Sequence, residues 1–215
     1  PEFICQAACE ALGEGKTFYA PTTGLLELRR EIASYLDGSF QTSYDPSTEI
    51  LVTLGASQAI DIALRTLVEE GDDVLIPQPS FISYGPCVKM AGGKLVYIPT
   101  FAKDEFVLKA DVLEEYITPK SKILILSYPN NPTGAVMTRS QLEEIAKVVK
   151  KHDLLVVTDE IYCELIYDGL THTAFASLPD MWERTITING FSKSYAMTGW
   201  RLGYLACPEP IAGEM

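Results

Sequence analysis

Residues 192–202 combine a lysine and an arginine in a short segment rich in small and polar side chains. Lys193 lies in a loop with serine and glycine, and Arg201 follows eight residues later. A lysine amine that is kept neutral bonds to carbonyl carbons, and a guanidinium makes bidentate contacts to phosphate oxygens. The ordinary alternative for Lys193 is a surface lysine, and the surrounding motifs argue against it. The ordinary alternative for Arg201 is an ion pair with a surface acid.

Two further polar motifs lie upstream, at 130–134 (Asn-Asn-Pro-Thr-Gly) and 158–162 (Thr-Asp-Glu-Ile-Tyr). Asp159 follows an apolar run, and Tyr162, three residues on, lies on the same side of one turn. Considered alone, Asp159 is equally well a helix cap or a surface acid. The 130–134 motif alone is equally well a plain turn, because its residues are turn formers.

A third group of small residues is suited to binding an anion. Gly55, Ala56 and Ser57 follow a short β-branched run and precede a helical pattern. Small residues at this place let backbone N–H groups approach an anion at the positive end of a helix. Ser57 also fits the role of a helix N-cap. Ser192, next to Lys193, adds a hydroxyl donor.

These residues depend on an alternation of helical and strand patterns for their placement. Helical spacing of apolar residues predicts helices at 25–36, 57–68 and 140–151. Short apolar runs predict strands at 50–54, 74–76, 94–98, 123–126, 154–157, 185–188 and 202–206. Such alternation predicts an α/β fold, with a mostly parallel sheet and helices on both faces.

In such a fold the ligand binds beyond the carboxyl ends of the strands. The polar motifs all follow predicted strands, so we expect them to meet at one edge of the sheet. They occupy residues 55–58, 79–84, 130–134, 159–162 and 190–193.

Several motifs in this fixed order resemble class I/II aminotransferases, in the fold-type I group of pyridoxal-phosphate (PLP) enzymes that includes aspartate aminotransferase. The resemblance runs from about Thr17 to about Pro208. It implies that residues 1–215 form the PLP-binding large domain, an α/β/α sandwich. We expect the chain to be part of a longer protein, with an N-terminal segment and a C-terminal small domain outside it.

The resemblance implies a catalytic role for three residues. Lys193 would form a Schiff base with PLP and, once released, act as general base and acid. Asp159 would keep the pyridine nitrogen protonated, so that the ring accepts electrons. Tyr162 would hydrogen-bond the phenolic oxygen of the cofactor, and Asn131 would donate to the same oxygen.

Other residues would hold the cofactor without taking part in the reaction. Phe81 would stack on the pyridine ring, although a core phenylalanine is the alternative, and Tyr84 is a weaker candidate for lining the site. Tyr19 would reach the phosphate of a neighbouring subunit and so imply a homodimer; burial in its own core is the alternative. The phosphate would be held by Gly55, Ala56, Ser57, Ser192 and Arg201.

The implied activity is ping-pong transamination between an amino acid and a 2-oxo acid. A PLP-dependent lyase with the same site, a PLP-binding sensor domain and a non-catalytic PLP-binding fragment are the alternatives. Family members bind the substrate carboxylate through an arginine of the small domain, which neither Arg139 nor Arg184 matches. The donor and acceptor therefore stay open, and we expect these 215 residues alone to bind PLP but transaminate poorly.

Composition narrows the remaining classes of function. A net charge of −12 disfavours binding to nucleic acid over a broad surface. The five cysteines include no Cys-x-x-Cys pair and the two histidines are distant, so no metal site is predicted. Free thiols are typical of a reducing compartment, and no apolar run is long enough to span a bilayer. We therefore expect a cytoplasmic protein without a membrane segment.

Overall fold

Strands and helices alternate along the chain in the computed structural model, which describes residues 1–215. The strands are β1 (Ile50–Thr53), β2 (Asp73–Gln78), β3 (Lys94–Pro99), β4 (Ser121–Leu126), β5 (Leu155–Asp159), β6 (Thr185–Gly190) and β7 (Gly203–Ala206). The α-helices are α1 (Glu2–Gly13), α2 (Leu26–Phe40), α3 (Ala56–Leu67), α4 (Tyr84–Met90), α5 (Ala110–Tyr116), α6 (Arg139–Lys151) and α7 (Glu209–Ala212). Single 3-10 turns occupy Ala102–Asp104, Phe175–Ser177, Trp182–Arg184 and Thr198–Trp200.

The seven strands form one sheet in the order β1-β7-β6-β5-β4-β2-β3. β7 runs antiparallel to both of its neighbours, β1 and β6. The other neighbouring strands are parallel. Two antiparallel steps restore the direction, so β1 runs the same way as β6. The prediction of a mostly parallel sheet is confirmed, with β7 as the single reversed strand.

Helices cover both faces of the sheet because its central strands are apolar on both sides. Every residue of β6 is buried, as are the last four of β4. On one face α5 and α6 pack through Leu113 and Ile145, in a cluster of 19 buried residues. On the other face α3 and α4 pack through Ile60 and Val88, in a cluster of 18. The two clusters are nearly equal in size, so both faces are covered, as in an α/β/α sandwich.

The long predicted helices agree with the structure to within a few residues at their ends. α6 begins after Thr138, whose hydroxyl accepts from the Gln141 backbone N–H while the Gln141 side chain accepts from the Thr138 N–H. This capping box satisfies two amide donors at the start of the helix. α2 extends beyond its predicted end, to Phe40.

Four helices were not predicted, and three of them are short. α4 and α5 have seven residues each and α7 has four, too short to show a helical period. α1 does show helical spacing of apolar residues, at Phe3, Ala7, Ala8 and Leu12, and was missed although the signal was present; none of its residues is buried. None of the helices is both long and apolar enough to cross a membrane.

Candidate active site

The predicted polar motifs meet at one edge of the sheet. The carboxyl ends of parallel strands share an edge, and the reversed strand β7 presents its amino end, just after Arg201, at the same edge. A cavity of about 170 Å³ lies there. Nine of the eleven predicted site residues line it: Ala56, Ser57, Phe81, Asn131, Asp159, Tyr162, Ser192, Lys193 and Arg201.

Asp159 ends β5 and is a buried carboxylate that lines this cavity. Its Oδ2 accepts a 2.6 Å hydrogen bond from the Tyr84 hydroxyl, and its Oδ1 accepts one of 3.3 Å from the Ile161 amide. Burial raises the pKa of Asp159, against the opposing effect of these two hydrogen bonds. Burial penalises the charged form of Asp159, and a cation bound next to it in the cavity would offset that penalty.

Tyr84 has a larger role than the sequence suggested. It begins α4, is almost completely buried, and donates to Asp159 across the sheet edge. Burial, followed by the charge of Asp159, raises the pKa of Tyr84 well above its ordinary value. The phenol therefore stays protonated and remains a donor. Phe81 and Tyr84 are joined by a turn before α4, in which the Tyr84 amide donates to the Phe81 carbonyl at 3.3 Å, and both side chains line the cavity.

Lys193 and Tyr162 lie next to each other in the cavity. The Lys193 Nζ lies 5.6 Å from the centroid of the Tyr162 ring. Asn131 Nδ2 donates to the Tyr162 hydroxyl at 3.5 Å. Asn131 and Tyr162 are therefore close enough for both to contact a single acceptor atom, and they lie on the lysine side of the cavity.

The first turn of α3 and Arg201 form a positively polarised cradle. Gly55 is the N-cap, with φ 82°, and no side chain caps the helix, so the alternative of Ser57 as N-cap is wrong. The N–H groups of Ala56 and Ser57 have no acceptor within the chain. Arg201 donates to the carbonyls of Thr198 (2.9 Å) and Leu54 (3.4 Å), which places its guanidinium beside this turn.

Arg201 forms no ion pair, so the alternative of a surface salt bridge is also wrong. A Cβ added at Gly55 would lie 2.5 Å from Nη2 of Arg201. Gly55 does not line the cavity itself, but it is what lets the guanidinium approach the helix terminus. A cation and two free amides thus converge where an anion is stabilised.

Phe81 and Tyr19 occupy different environments. Phe81 is partly buried, lines the cavity, and contacts Tyr84 edge to face with centroids 5.6 Å apart. Tyr19 is fully exposed and lies outside the cavity. The alternative that Tyr19 is buried in its own core is wrong, and its contact with a neighbouring subunit stays a prediction.

A second buried carboxylate supports the end of β5. Glu160 accepts hydrogen bonds from His172 Nε2 (2.8 Å), the Phe175 amide (3.1 Å) and the Thr158 hydroxyl (3.1 Å). These bonds tie the segment after Tyr162 back to the strand that carries Asp159. Sequence reasoning missed this network, because nothing in the spacing of Glu160 and His172 indicates that they meet.

Comparison with known proteins agrees with this geometry. The chain matches the family model of aminotransferase class I and II over residues 1–215. It is 49% identical over 215 residues to aromatic-amino-acid aminotransferase 2 of Thermococcus litoralis, covering all of this chain and 55% of that protein. It is 49% identical to the aspartate aminotransferase of Pyrococcus abyssi, again over 100% of this chain and 55% of that protein.

A solved structure shows the same fold. The aromatic aminotransferase of Pyrococcus horikoshii OT3 superposes with a TM-score of 0.98 at 51% identity, over all of this chain and 57% of that one. The chain thus spans about half the length of the relatives it matches. A match over every residue, with the same fold, assigns the family. The chain belongs to the class I and II aminotransferases.

Proposed function

We propose that this protein is a PLP-dependent aminotransferase that moves an amino group between an amino acid and a 2-oxo acid, and that residues 1–215 form its PLP-binding large domain. One observation carries the proposal. A single cavity brings together a lysine amine, a buried carboxylate and a cationic cradle at a helix N-terminus. The names of the relatives, all aminotransferases, favour this activity over the lyase, sensor and non-catalytic alternatives.

The chemistry of these donors fits PLP. Arg201 and the free amides of Ala56 and Ser57 suit a phosphate dianion, and the hydroxyls of Ser57 and Ser192 border the same region. Burial penalises the charged form of Asp159, so a cationic pyridine nitrogen beside the carboxylate would stabilise it. Gly55 leaves room that a larger residue would fill. No group in the cavity conflicts with such a ligand.

When bound, PLP supplies an electron-accepting ring that makes the Cα–H bond of an amino acid acidic. Lys193 would hold the cofactor covalently through Nζ and then, released by the substrate amine, accept the Cα proton as general base. Asp159 would hold a proton on the ring nitrogen. Asn131 and Tyr162 would donate to the phenolic oxygen, while the face of Phe81 would limit movement of the ring.

The substrates follow from the family and from its named members. Relatives are named for aromatic amino acids and for aspartate, so these two classes of donor are the first to assay, each with a 2-oxo acid acceptor. Production of a new amino acid supports transamination. Release of ammonia with an oxo acid, and no new amino acid, supports the lyase instead.

We also propose a homodimer in which Tyr19 contacts the phosphate in the neighbouring subunit. Tyr19 is fully exposed, so its side chain is free to contact a neighbouring subunit, and burial of its ring there would be favourable. We further propose a cytoplasmic location. All five cysteines are free and two of them, Cys5 and Cys9, are exposed, as in proteins of reducing compartments.

The decisive test is to add PLP to the full-length protein, record the visible absorbance, reduce with borohydride and map the modified peptide by mass. We expect a yellow protein and one adduct, at Lys193. The Lys193→Ala variant should give none, whereas Lys89→Ala, at an exposed lysine outside the cavity, should behave like the wild type. A folded wild-type protein without an adduct would refute the proposal.

A further inference from the structure

Three glycines from three separate elements meet beneath the cavity. Gly55 precedes α3, Gly190 ends β6 and Gly203 begins β7. Gly203 lies between β6 and β1, because it pairs with Gly190 of β6 on one side and with Thr53 of β1 on the other. We call Gly55, Gly190 and Gly203 the glycine contact.

The glycine contact leaves no room for a side chain at Gly203. A Cβ there would lie 2.5 Å from the nitrogen of Ala56 and 2.5 Å from the carbonyl carbon of Gly55. Both are backbone atoms, which cannot rotate away as the end of a side chain does. The first turn of α3 therefore rests directly on the backbone of β7. A Cβ at Gly190 would likewise lie 2.8 Å from the Gly203 Cα.

The atoms held by this contact are those of the anion cradle. The Ala56 nitrogen that approaches Gly203 is one of the two amides without an acceptor. Arg201, the cation of the cradle, precedes Gly203 by two residues and packs on Gly55. One side chain at Gly203 would move the free amide and the guanidinium apart. Asp159 ends β5, and Asn131 and Tyr162 follow β4 and β5, so these groups lie outside residues 201–203 and would not be moved directly.

We propose that the glycine contact makes the site selective for the phosphorylated cofactor, with Gly203 and Gly55 acting as positioning residues for the α3 amides and Arg201. This inference rests on the proposed PLP site. The inference distinguishes two contributions to cofactor affinity. The glycine contact sets the affinity for the phosphate group and leaves the affinity for the ring and aldehyde nearly unchanged. A glycine needed only for folding would affect both equally.

The test measures dissociation constants of PLP and of pyridoxal, which lacks the phosphate, by absorbance titration of the full-length protein. For Gly203→Ala we expect PLP to bind at least about tenfold more weakly, because a charge-assisted, bidentate contact is lost. Pyridoxal affinity should change by less than about twofold, since its contacts are unaltered. Borohydride should still trap pyridoxal at Lys193.

Gly38→Ala in α2 is the matched control. Nothing lies within 4 Å of a Cβ at Gly38, so this variant should bind both ligands as the wild type does. An equal loss of PLP and pyridoxal affinity in Gly203→Ala, or no loss at all, would overturn the inference. A wild-type protein that binds neither ligand would instead refute the proposed function.

Gly55→Ala decides the matter if Gly203→Ala does not fold. Its Cβ would meet chiefly the end of the Arg201 side chain, which can move, although φ 82° adds some backbone strain. We expect the same selective loss of PLP affinity, in a protein with a wild-type circular dichroism spectrum. Unchanged PLP-to-pyridoxal selectivity in folded Gly55→Ala would refute the role of the glycine contact.

Discussion

The hydroxyl of Tyr84 donates a 2.6 Å hydrogen bond to Oδ2 of Asp159. The bond joins the start of α4 to the end of β5, two elements that are 75 residues apart in sequence. It fixes the orientation of a carboxylate that burial would otherwise drive toward the neutral form. Tyr84 thus stabilises the charged form of Asp159 through a hydrogen bond, and it has no role as an acid or base in the proposed reaction.

Replacing Tyr84 by phenylalanine removes this donor and leaves the ring in place. Because a buried carboxylate loses a hydrogen bond, we expect the free energy of unfolding to fall by about 1–3 kcal/mol. The pKa of Asp159 should rise further, so kcat at saturating PLP should fall by about tenfold. Denaturant unfolding and steady-state kinetics measure the two effects.

Tyr44→Phe is the control, because Tyr44 is also buried and its hydroxyl hydrogen-bonds only the Thr187 hydroxyl, at 3.4 Å. It should lose some stability while kcat stays unchanged. If both variants lower kcat alike, the effect of Tyr84 is on general stability and not on Asp159.

Asp159→Asn should separate stability from activity. Burial raises the pKa of Asp159 above its ordinary 3.8, so the folded, PLP-free protein holds this proton more tightly than the unfolded chain. Its contribution to stability is therefore full at pH values below 3.8 and is lost as the pH rises through the raised pKa.

In the PLP-free state, Asp159→Asn should show a flatter decline of stability with rising pH and be at least as stable as wild type at neutral pH. Its kcat should nevertheless fall by roughly a hundredfold, because an amide cannot hold a proton on the ring nitrogen. Urea unfolding at a series of pH values, with and without PLP, measures this. A variant that is clearly less stable at neutral pH without PLP would contradict the expectation.

Arg201→Lys keeps a positive charge but removes the planar guanidinium. The bonds to the carbonyls of Thr198 and Leu54 require that shape, as does bidentate binding of phosphate. We expect PLP to bind about tenfold more weakly, with kcat at saturating PLP nearly unchanged. Arg184→Lys, where the guanidinium pairs with exposed Asp153, should leave PLP affinity as it was. A large change in kcat at saturating PLP would argue that Arg201 contacts more than the phosphate.

The two histidines form carboxylate pairs in contrasting surroundings. His172 and Glu160 have side chains that are 7% and 1% exposed, whereas those of His152 and Glu114 are 28% and 33% exposed. His172→Ala leaves Glu160 with a missing donor, so we expect a loss of about 1–3 kcal/mol in unfolding free energy. His152→Ala should cost less than about 1 kcal/mol, because surface pairs contribute little. Equal losses in chemical denaturation would contradict this reading of burial.

The strands and long helices were predictable because their burial is periodic. The fully apolar runs that became β4 and β5 indicated burial on both faces, and the amphipathic pattern of α6 indicated a single buried face. The position of the site followed from the parallel strands, since polar residues just after them share one edge. Recognition of the motif order then supplied the roles expected of Lys193 and Asp159.

What could not be predicted depends on contacts between distant residues. The Tyr84–Asp159 bond and the Glu160–His172 pair join side chains whose sequence spacing carries no signal. Glycine at position 203 resembles any strand glycine until its neighbour, the backbone of α3, is known. The start of α3 at Ala56 was misjudged because Ser57 is a good N-cap, whereas Gly55 occupies that position.

The reversed strand β7 has a consequence for how this region tolerates change. Because β6 and β7 are antiparallel neighbours, one connection, residues 191–202, carries both the lysine and the arginine. Adding or deleting a residue between them would displace one group relative to the other while the sheet stayed intact. Length variation among natural sequences should therefore be rare in this connection and common in loops at the opposite edge of the sheet, such as the one that joins α6 to β5.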